Sequence, residues 1–222
     1  SCNCIFHIPL YIAFVLKYNY IEGMNISVAI LAGGMSRRFG SDKTLALLEN
    51  KPLIQWLSDG AQAYSNDIMI ISKEPAKYTF LNNVRQITDT YEQQCPMVGI
   101  IAALQEAQHD KVLVISADMP LFPFEALQAM AESDAEAVVP LINGKLYHCA
   151  GFYHKSSRPV FLQHYEKQDF RLTNALNQLN CSYLDEVFFE KFADPALAFI
   201  NMNTPADLLK IKDNHTESLR DN

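Results

Sequence analysis

Short apolar runs that alternate with stretches of helical periodicity set the strongest limit on what this chain can fold into. Ile26–Leu31 reads as a buried strand ending in Ala32-Gly33-Gly34, and Ile68–Ile71, Val84–Thr88 and Val112–Ile115 repeat the pattern. Between them, Leu53, Ile54, Leu57 and Ala61 recur at helical spacing behind Pro52, which suits a first helical turn. Pro96–Glu106, Phe124–Glu132, Arg158–Glu166 and Leu172–Leu179 read as further helices, and Ala137–Val139 and Leu146–Tyr153 as later strands. A last strand is expected at Ala198–Asn201, leading into a helix with Thr204 at its N-cap and Pro205 at its first position. Strand–helix alternation predicts an α/β protein with a mostly parallel central sheet covered by helices on both faces. Ligands of such folds collect beyond the carboxyl ends of the strands, where Gly33-Gly34 and Asp118 both fall.

The chain has 222 residues, enough for one well-buried core and short for two. Its net charge of −7 and the lack of a long basic run argue against sequence-independent nucleic-acid binding. Any anionic ligand must therefore be met by positive charge gathered locally. Cys2, Cys4, Cys95, Cys149 and Cys181 are odd in number and widely spaced, a poor disulfide framework, and Cys2-x-Cys4 has no second pair for zinc. Reduced thiols in a cytoplasmic protein are expected. Ile5–Leu16 is apolar apart from His7, but at 12 residues, interrupted by Pro9, it falls short of the ~20 that a membrane span needs. Residues 1–23 are expected to lie outside the functional fold, translated from upstream of Met24, with no stable membrane insertion. The alternative is a membrane-associating segment. Residues 24–213 then form one domain, and the polar tail 214–222 frays.

The most informative stretch is Leu31-Ala-Gly-Gly-Met-Ser-Arg-Arg-Phe-Gly-Ser-Asp-Lys43. Gly33 and Gly34 let the backbone turn sharply and turn amide hydrogens toward phosphate oxygens. Arg37, Arg38 and Lys43 add three cations, and no acidic side chain stands between Met24 and Ser41. This is the gathered charge that an acidic protein requires. A P-loop needs Lys directly after its last Gly, whereas Ser41 and Asp42 intervene here, and the Gly-x-Gly-x-x-Gly dinucleotide fingerprint is missing. Asp118, where a buried strand meets solvent, suits a Mg²⁺ that also grips phosphate oxygens; the plain alternative is a turn cap. Asp89 follows the third strand and suits a ribose or guanine's N1–H and amino group; it too has a turn residue as its plain alternative.

The loop LAGGMSRRFGSDK resembles the LAGGxSxRMGxDK signature of the molybdenum cofactor guanylyltransferase family. The likeness continues in order through Thr88-Asp89-Thr90, Pro96-Met-Val-Gly99, Ala117-Asp118-Met-Pro120, Tyr147-His148 and Asn201-Met-Asn203-Thr204-Pro205, spanning about residues 24–212. It implies a single Rossmann-like three-layer domain that transfers GMP from GTP to molybdopterin carrying molybdenum and releases pyrophosphate. By the same resemblance, Leu31, Ala32, Gly33, Lys43 and Asp89 contact the nucleotide, and Asp118 contacts both nucleotide and Mg²⁺. Asn201 and Asn203 line the molybdopterin side, with His148 and Arg171 as weaker candidates, and molybdoenzyme-maturation proteins are the implied partners. Three positions depart from the family pattern: Cys95 replaces a glycine before the proline, Val98 a smaller residue, and Ile71 an asparagine.

Attack on an α-phosphorus by an already ionised phosphate needs alignment and charge compensation more than a general base, which suits Mg²⁺, Lys43, Arg37, Arg38 and backbone amides. His148 and Cys149 adjoin, but strand neighbours point to opposite faces, which disfavours a Cys–His dyad. The rival readings are a related transferase using CTP or a sugar-phosphate acceptor, and a nucleotide- or cofactor-binding carrier without turnover. Gly34 disfavours CTP by resemblance, since related cytidylyltransferases often carry alanine there. Retention of Lys43 together with Asp118 disfavours the carrier.

Overall fold

The structure, a computed structural model, describes residues 24–33, 42–202 and 207. The expected extension 1–23, the tail 214–222, the cap Thr204-Pro205, and Gly34, Arg37, Arg38 and Asn203 all lie outside the described residues.

The three strands with the strongest apolar runs lie side by side. β1 (Ile26–Leu31) pairs in parallel with β4 (Asp67–Ser72) on one side and with β6 (Lys111–Ser116) on the other. β5 (Arg85–Thr88) extends the sheet beyond β4, again in parallel. Beyond β6 lie β9 (Ala150–His154), antiparallel to it, then β7 (Ala137–Ile142), and at the far edge β10 (Cys181–Leu184), parallel to β7. The order is thus β10-β7-β9-β6-β1-β4-β5, with the short β8 (Lys145–Leu146) paired to β7. A separate two-residue hairpin joins β2 (Leu47–Leu48) to β3 (Lys51–Pro52).

Side chains alternate along the strands and feed two cores. On one face Val28, Ile30, Ile68, Ile70, Leu113 and Ile115 pack with Ile54 and Leu57 of helix α1 (Leu53–Gln62) and with Leu127 and Met130 of α3 (Leu127–Ala131). On the other, Ala29, Met69, Ile71, Val112 and Val114 meet helices α2 (Pro96–Glu106), α4 (Arg158–Glu166) and α5 (Leu172–Leu176). Coverage of both faces explains why β4 is buried at every position and why its centre, Ile68–Ile71, reads as a continuous apolar run. The result is the expected α/β domain with a mostly parallel sheet between two helical layers.

Gly151 is required where β9 is squeezed between its neighbours. A Cβ at Gly151 would stand 2.8 Å from the Val138 carbonyl oxygen, a backbone atom that cannot move without disturbing the ladder. Gly151→Ala is expected to cost about 1–3 kcal/mol, read as a lower urea midpoint. An unchanged midpoint would show that these strands part freely.

Two expectations need correction. The strand at Ala198–Asn201 does not form; Pro195–Ala198 is instead a short helix, α7, whose cap Asp194 accepts a hydrogen bond from the Ala196 N–H at 2.8 Å. Leu146–Tyr153 is not one strand but β8, a turn, and β9, so His148 and Cys149 lie in the turn. A further short helix, α6 (Glu186–Phe189), follows β10.

Candidate active site

Along the sheet, β4 and β5 lie to one side of β1 and β6 to the other, so the strand order reverses between β1 and β6. Their carboxyl ends diverge at that point and open a crevice. Gly33 follows β1 by two residues and Asp118 follows β6 by two. The ladder continues a step past both strands, with Ala32 N–H donating to Ile71 O at 2.9 Å and Ala117 N–H to Leu31 O at 3.0 Å. This holds the two exits in register.

Lys43 reaches the crevice because its backbone is pinned. Asp42 caps the 3₁₀ turn Lys43–Leu45, accepting from Thr44 N–H at 3.1 Å and from Thr44 Oγ1 at 2.7 Å. Thr44 Oγ1 lies 3.1 Å from the Tyr78 hydroxyl, whose pKa burial raises. From this anchor the Lys43 ammonium donates to Asp118 Oδ2 at 2.7 Å, with both side chains about 15% exposed (16% and 14%). Two residues 75 positions apart thus form a partly buried charge pair at the switch point.

A cavity of about 170 Å³ is walled by Leu31, Gly33, Ile71, Asp89, Ser116 and Cys149 among others, and Asp118 is near enough to Cys149 to act on its thiol, although neither member of the pair lines the cavity. A Cβ at Gly99 would fall 2.8 Å from Leu31 Cδ1, so the bare glycine leaves Leu31 room to form this wall. Asp89 contributes a carboxylate whose Oδ1 accepts the Tyr91 N–H at 3.0 Å and whose Oδ2 lies 3.2 Å from Lys73 Nζ. Cys149 is half-buried at the cavity wall, and desolvation of its thiol, with the nearby charge of Asp118, pushes it up to about 12. It is therefore a neutral wall group at physiological pH. His148 is held below the usual imidazole range by burial, and its Nε2 is buried with no hydrogen-bond partner among the described residues. A thiol so far from ionising disfavours a Cys–His dyad, although the strand geometry expected for that pair is absent.

The structure therefore brings Leu31, Gly33 and Asp89 to one cavity, sets the Lys43–Asp118 pair just past Ser116 of its wall, and leaves Ala32 in the backbone between Leu31 and Gly33. Asn201 comes close as well, although no strand carries it there: the next residue, Met202, donates its N–H to the Asp118 carbonyl at 2.8 Å. Arg171 is exposed and precedes α5, one residue after Phe170, whose ring packs on Tyr165 at 5.9 Å between centroids. It does not line the cavity. The sequence reading overlooked Lys73, although a cation directly after β4 was a usable signal. Among the described residues no group of three or more His, Cys, Asp or Glu side chains is placed to hold a metal ion. Among them, too, no helix is long and apolar enough to cross a membrane.

Comparison with known proteins places the fold and the sequence in a family. A probable molybdenum cofactor guanylyltransferase from Natranaerobius thermophilus is 27% identical over 83% of this chain and 93% of its own length. Another, from Aquifex aeolicus, is 30% identical over 82% of this chain and 88% of its own. The crystal structure of molybdopterin-guanine dinucleotide biosynthesis protein A from Archaeoglobus fulgidus shares the fold. It has a TM-score of 0.75 at 24% identity and covers 86% of this chain and 99% of that one. The MobA-like NTP transferase domain matches residues 28–181, spanning β1 to the start of β10 with every strand of the crevice, and the chain belongs to that family of nucleotidyltransferases.

Proposed function

We propose that this protein is a guanylyltransferase that moves GMP from GTP to molybdopterin carrying molybdenum, forming molybdopterin guanine dinucleotide and releasing pyrophosphate. The observation that carries this reading is the 2.7 Å Lys43–Asp118 pair at the sheet's switch point, beside the cavity that Asp89 lines. The names of relatives covering over four-fifths of the chain support the choice of GTP and acceptor.

In this reading a phosphate oxygen of the acceptor attacks the α-phosphorus in line. The new O–P bond forms as the bond from that phosphorus to the bridging oxygen breaks, and the electron pair leaves with pyrophosphate. The acceptor phosphate is already ionised, so no strong base is needed. The chain's task is to align two anions and offset their repulsion. Gly33, without a side chain at the cavity wall, lets the phosphates approach the backbone closely, Lys43 neutralises charge where the leaving group forms, and Arg37 and Arg38 add cations from the same stretch of sequence.

Asp118 fits Mg²⁺: it is a hard oxygen donor at the solvent edge, and Mg²⁺ commonly takes one or two carboxylates with phosphate and water completing its shell. The lack of a three-ligand cluster among the described residues is compatible with that shared mode. Bound there, the ion would supply further charge neutralisation at the phosphates. Asn201, with Asn203, His148 and Arg171, would serve the acceptor side, and the product would pass in the cytoplasm to molybdoenzyme-maturation proteins.

Asp89 is assigned to the guanine edge. Pyrophosphate release, measured with each of the four nucleoside triphosphates, Mg²⁺ and molybdenum-bearing molybdopterin, is expected to favour GTP over CTP and ATP by on the order of 10². Equal rates with CTP would remove the guanylyl assignment and spare the transferase. GTP binding without pyrophosphate release would make the protein a carrier.

A further inference from the structure

We propose that Lys73 is a positioning residue that aims the Asp89 carboxylate and thereby sets the selectivity for guanine; this rests on the guanylyltransferase reading above. Lys73 directly follows β4. Its ammonium stands 3.2 Å from Asp89 Oδ2 and 3.5 Å from the Asp89 carbonyl oxygen, and it also donates to the Tyr91 carbonyl oxygen. Asp89 is held from a second side, because its Oδ1 accepts the Tyr91 N–H at 3.0 Å. Its own N–H donates to Ser72 O at 2.9 Å, continuing the β4–β5 ladder. The Tyr91 ring then packs edge-on against Tyr165, with centroids 5.1 Å apart, which ties the loop to α4.

Each carboxylate oxygen thus has one protein donor, and each keeps acceptor capacity beyond it. Asp89 lines the cavity with its side chain only 9% exposed, whereas Lys73 is 31% exposed at the rim. Two fixed parallel acceptors match a ring N–H beside an exocyclic amino group. Guanine has both, hypoxanthine has the ring N–H alone, and adenine and cytosine set an acceptor beside their amino group. A carboxylate free to rotate would read these edges poorly, since part of the binding energy would go into ordering it. Lys73 removes that freedom without entering the cavity wall.

The test is calorimetric binding of GTP and ITP to the parent chain, Lys73→Met, Lys73→Arg, Asp89→Asn and the Lys73→Met/Asp89→Asn double variant. The parent is expected to bind GTP roughly ten-fold or more tighter than ITP, the range for one hydrogen bond to a charged group. Lys73→Met brings the ratio to within about three-fold, Lys73→Arg keeps most of it, and adding Lys73→Met to Asp89→Asn changes it no further. Should Lys73→Met fail to fold, Lys73→Gln, which drops the charge and keeps a donor, carries the same comparison. Equal loss of affinity for both nucleotides would overturn the proposal, because Lys73 would then serve the shared triphosphate or only the fold. A parent chain that binds GTP and ITP equally overturns it while leaving guanylyl transfer standing. A parent that binds neither overturns both.

Discussion

Lys43→Ala and Asp118→Asn are each expected to lower the rate of pyrophosphate release by about 10²–10³, the usual cost of removing one preorganised electrostatic contact. The loss of stability should be much smaller, about 1 kcal/mol, because the pair is partly solvated and its attraction is offset by desolvation. The two variants should differ in their response to magnesium. Asp118→Asn loses the charged oxygen assigned to the ion, so its activity should rise further at elevated Mg²⁺, whereas Lys43→Ala should not recover. Steady-state rates across a Mg²⁺ series, with thermal unfolding as the control, check this. Near-parent activity in two folded variants would remove the site assignment.

The largest stability effect is expected at the amino ends of the central strands, away from the crevice at their carboxyl ends. Asp67, 1% exposed at the start of β4, accepts from Ser27 Oγ at 2.5 Å, Gln108 N–H at 2.9 Å and Arg85 Nε at 2.9 Å. Burial opposes its ionisation, yet these donors and the Arg85 charge outweigh it and hold the carboxyl below its ordinary value. Asp67→Ala strands three donors around an empty site and should cost about 3 kcal/mol. For a chain of this size that lowers the unfolding midpoint by about 6–12 °C. The pH dependence follows from the lowered value. The contribution is complete above the unfolded-state value near 3.9 and is lost as pH falls through the folded one. The stability gap between the parent and Asp67→Asn should therefore narrow on acidification. A midpoint within a degree of the parent for Asp67→Ala would show that this hub contributes little.

Much of the fold was legible because the central parallel strands are buried on both faces, which forces unbroken apolar runs such as Ile68–Ile71. Pro96–Glu106 and Arg158–Glu166 were read to the residue, helped by prolines at their first turns. What escaped notice was short or half-buried. The β2–β3 hairpin turns on Glu49 and Asn50, both with positive φ (51° and 63°), and Glu is an unusual occupant of that conformation. The turn between β7 and β8 uses Asn143-Gly144, also at positive φ, a recognised hairpin signal that went unused. Ala198–Asn201 looked like a strand because its apolar run is short. Asp194-Pro195 just before it, a cap followed by proline, was the stronger cue and starts a helix.

The candidate site divides in the same way. Gly33, Lys43, Asp89 and Asp118 stood out by type and by position after strands. Their assembly depends on strand order: nothing in a 75-residue separation says that Lys43 meets Asp118. Nor does it reveal that both Asp89 oxygens already have protein donors, or that the Cys149 thiol is a wall group pushed up to about 12.

The central claim is that the bond broken lies between the α- and β-phosphates of GTP and that the nucleotide passes to the acceptor. GTP labelled at the α-phosphorus and, separately, at the γ-phosphorus, incubated with the protein, Mg²⁺ and molybdenum-bearing molybdopterin, tests it directly. The α-label is expected in the pterin product and the γ-label in pyrophosphate. A γ-label on the acceptor, or its release as inorganic phosphate with no α-label transferred, would contradict the account.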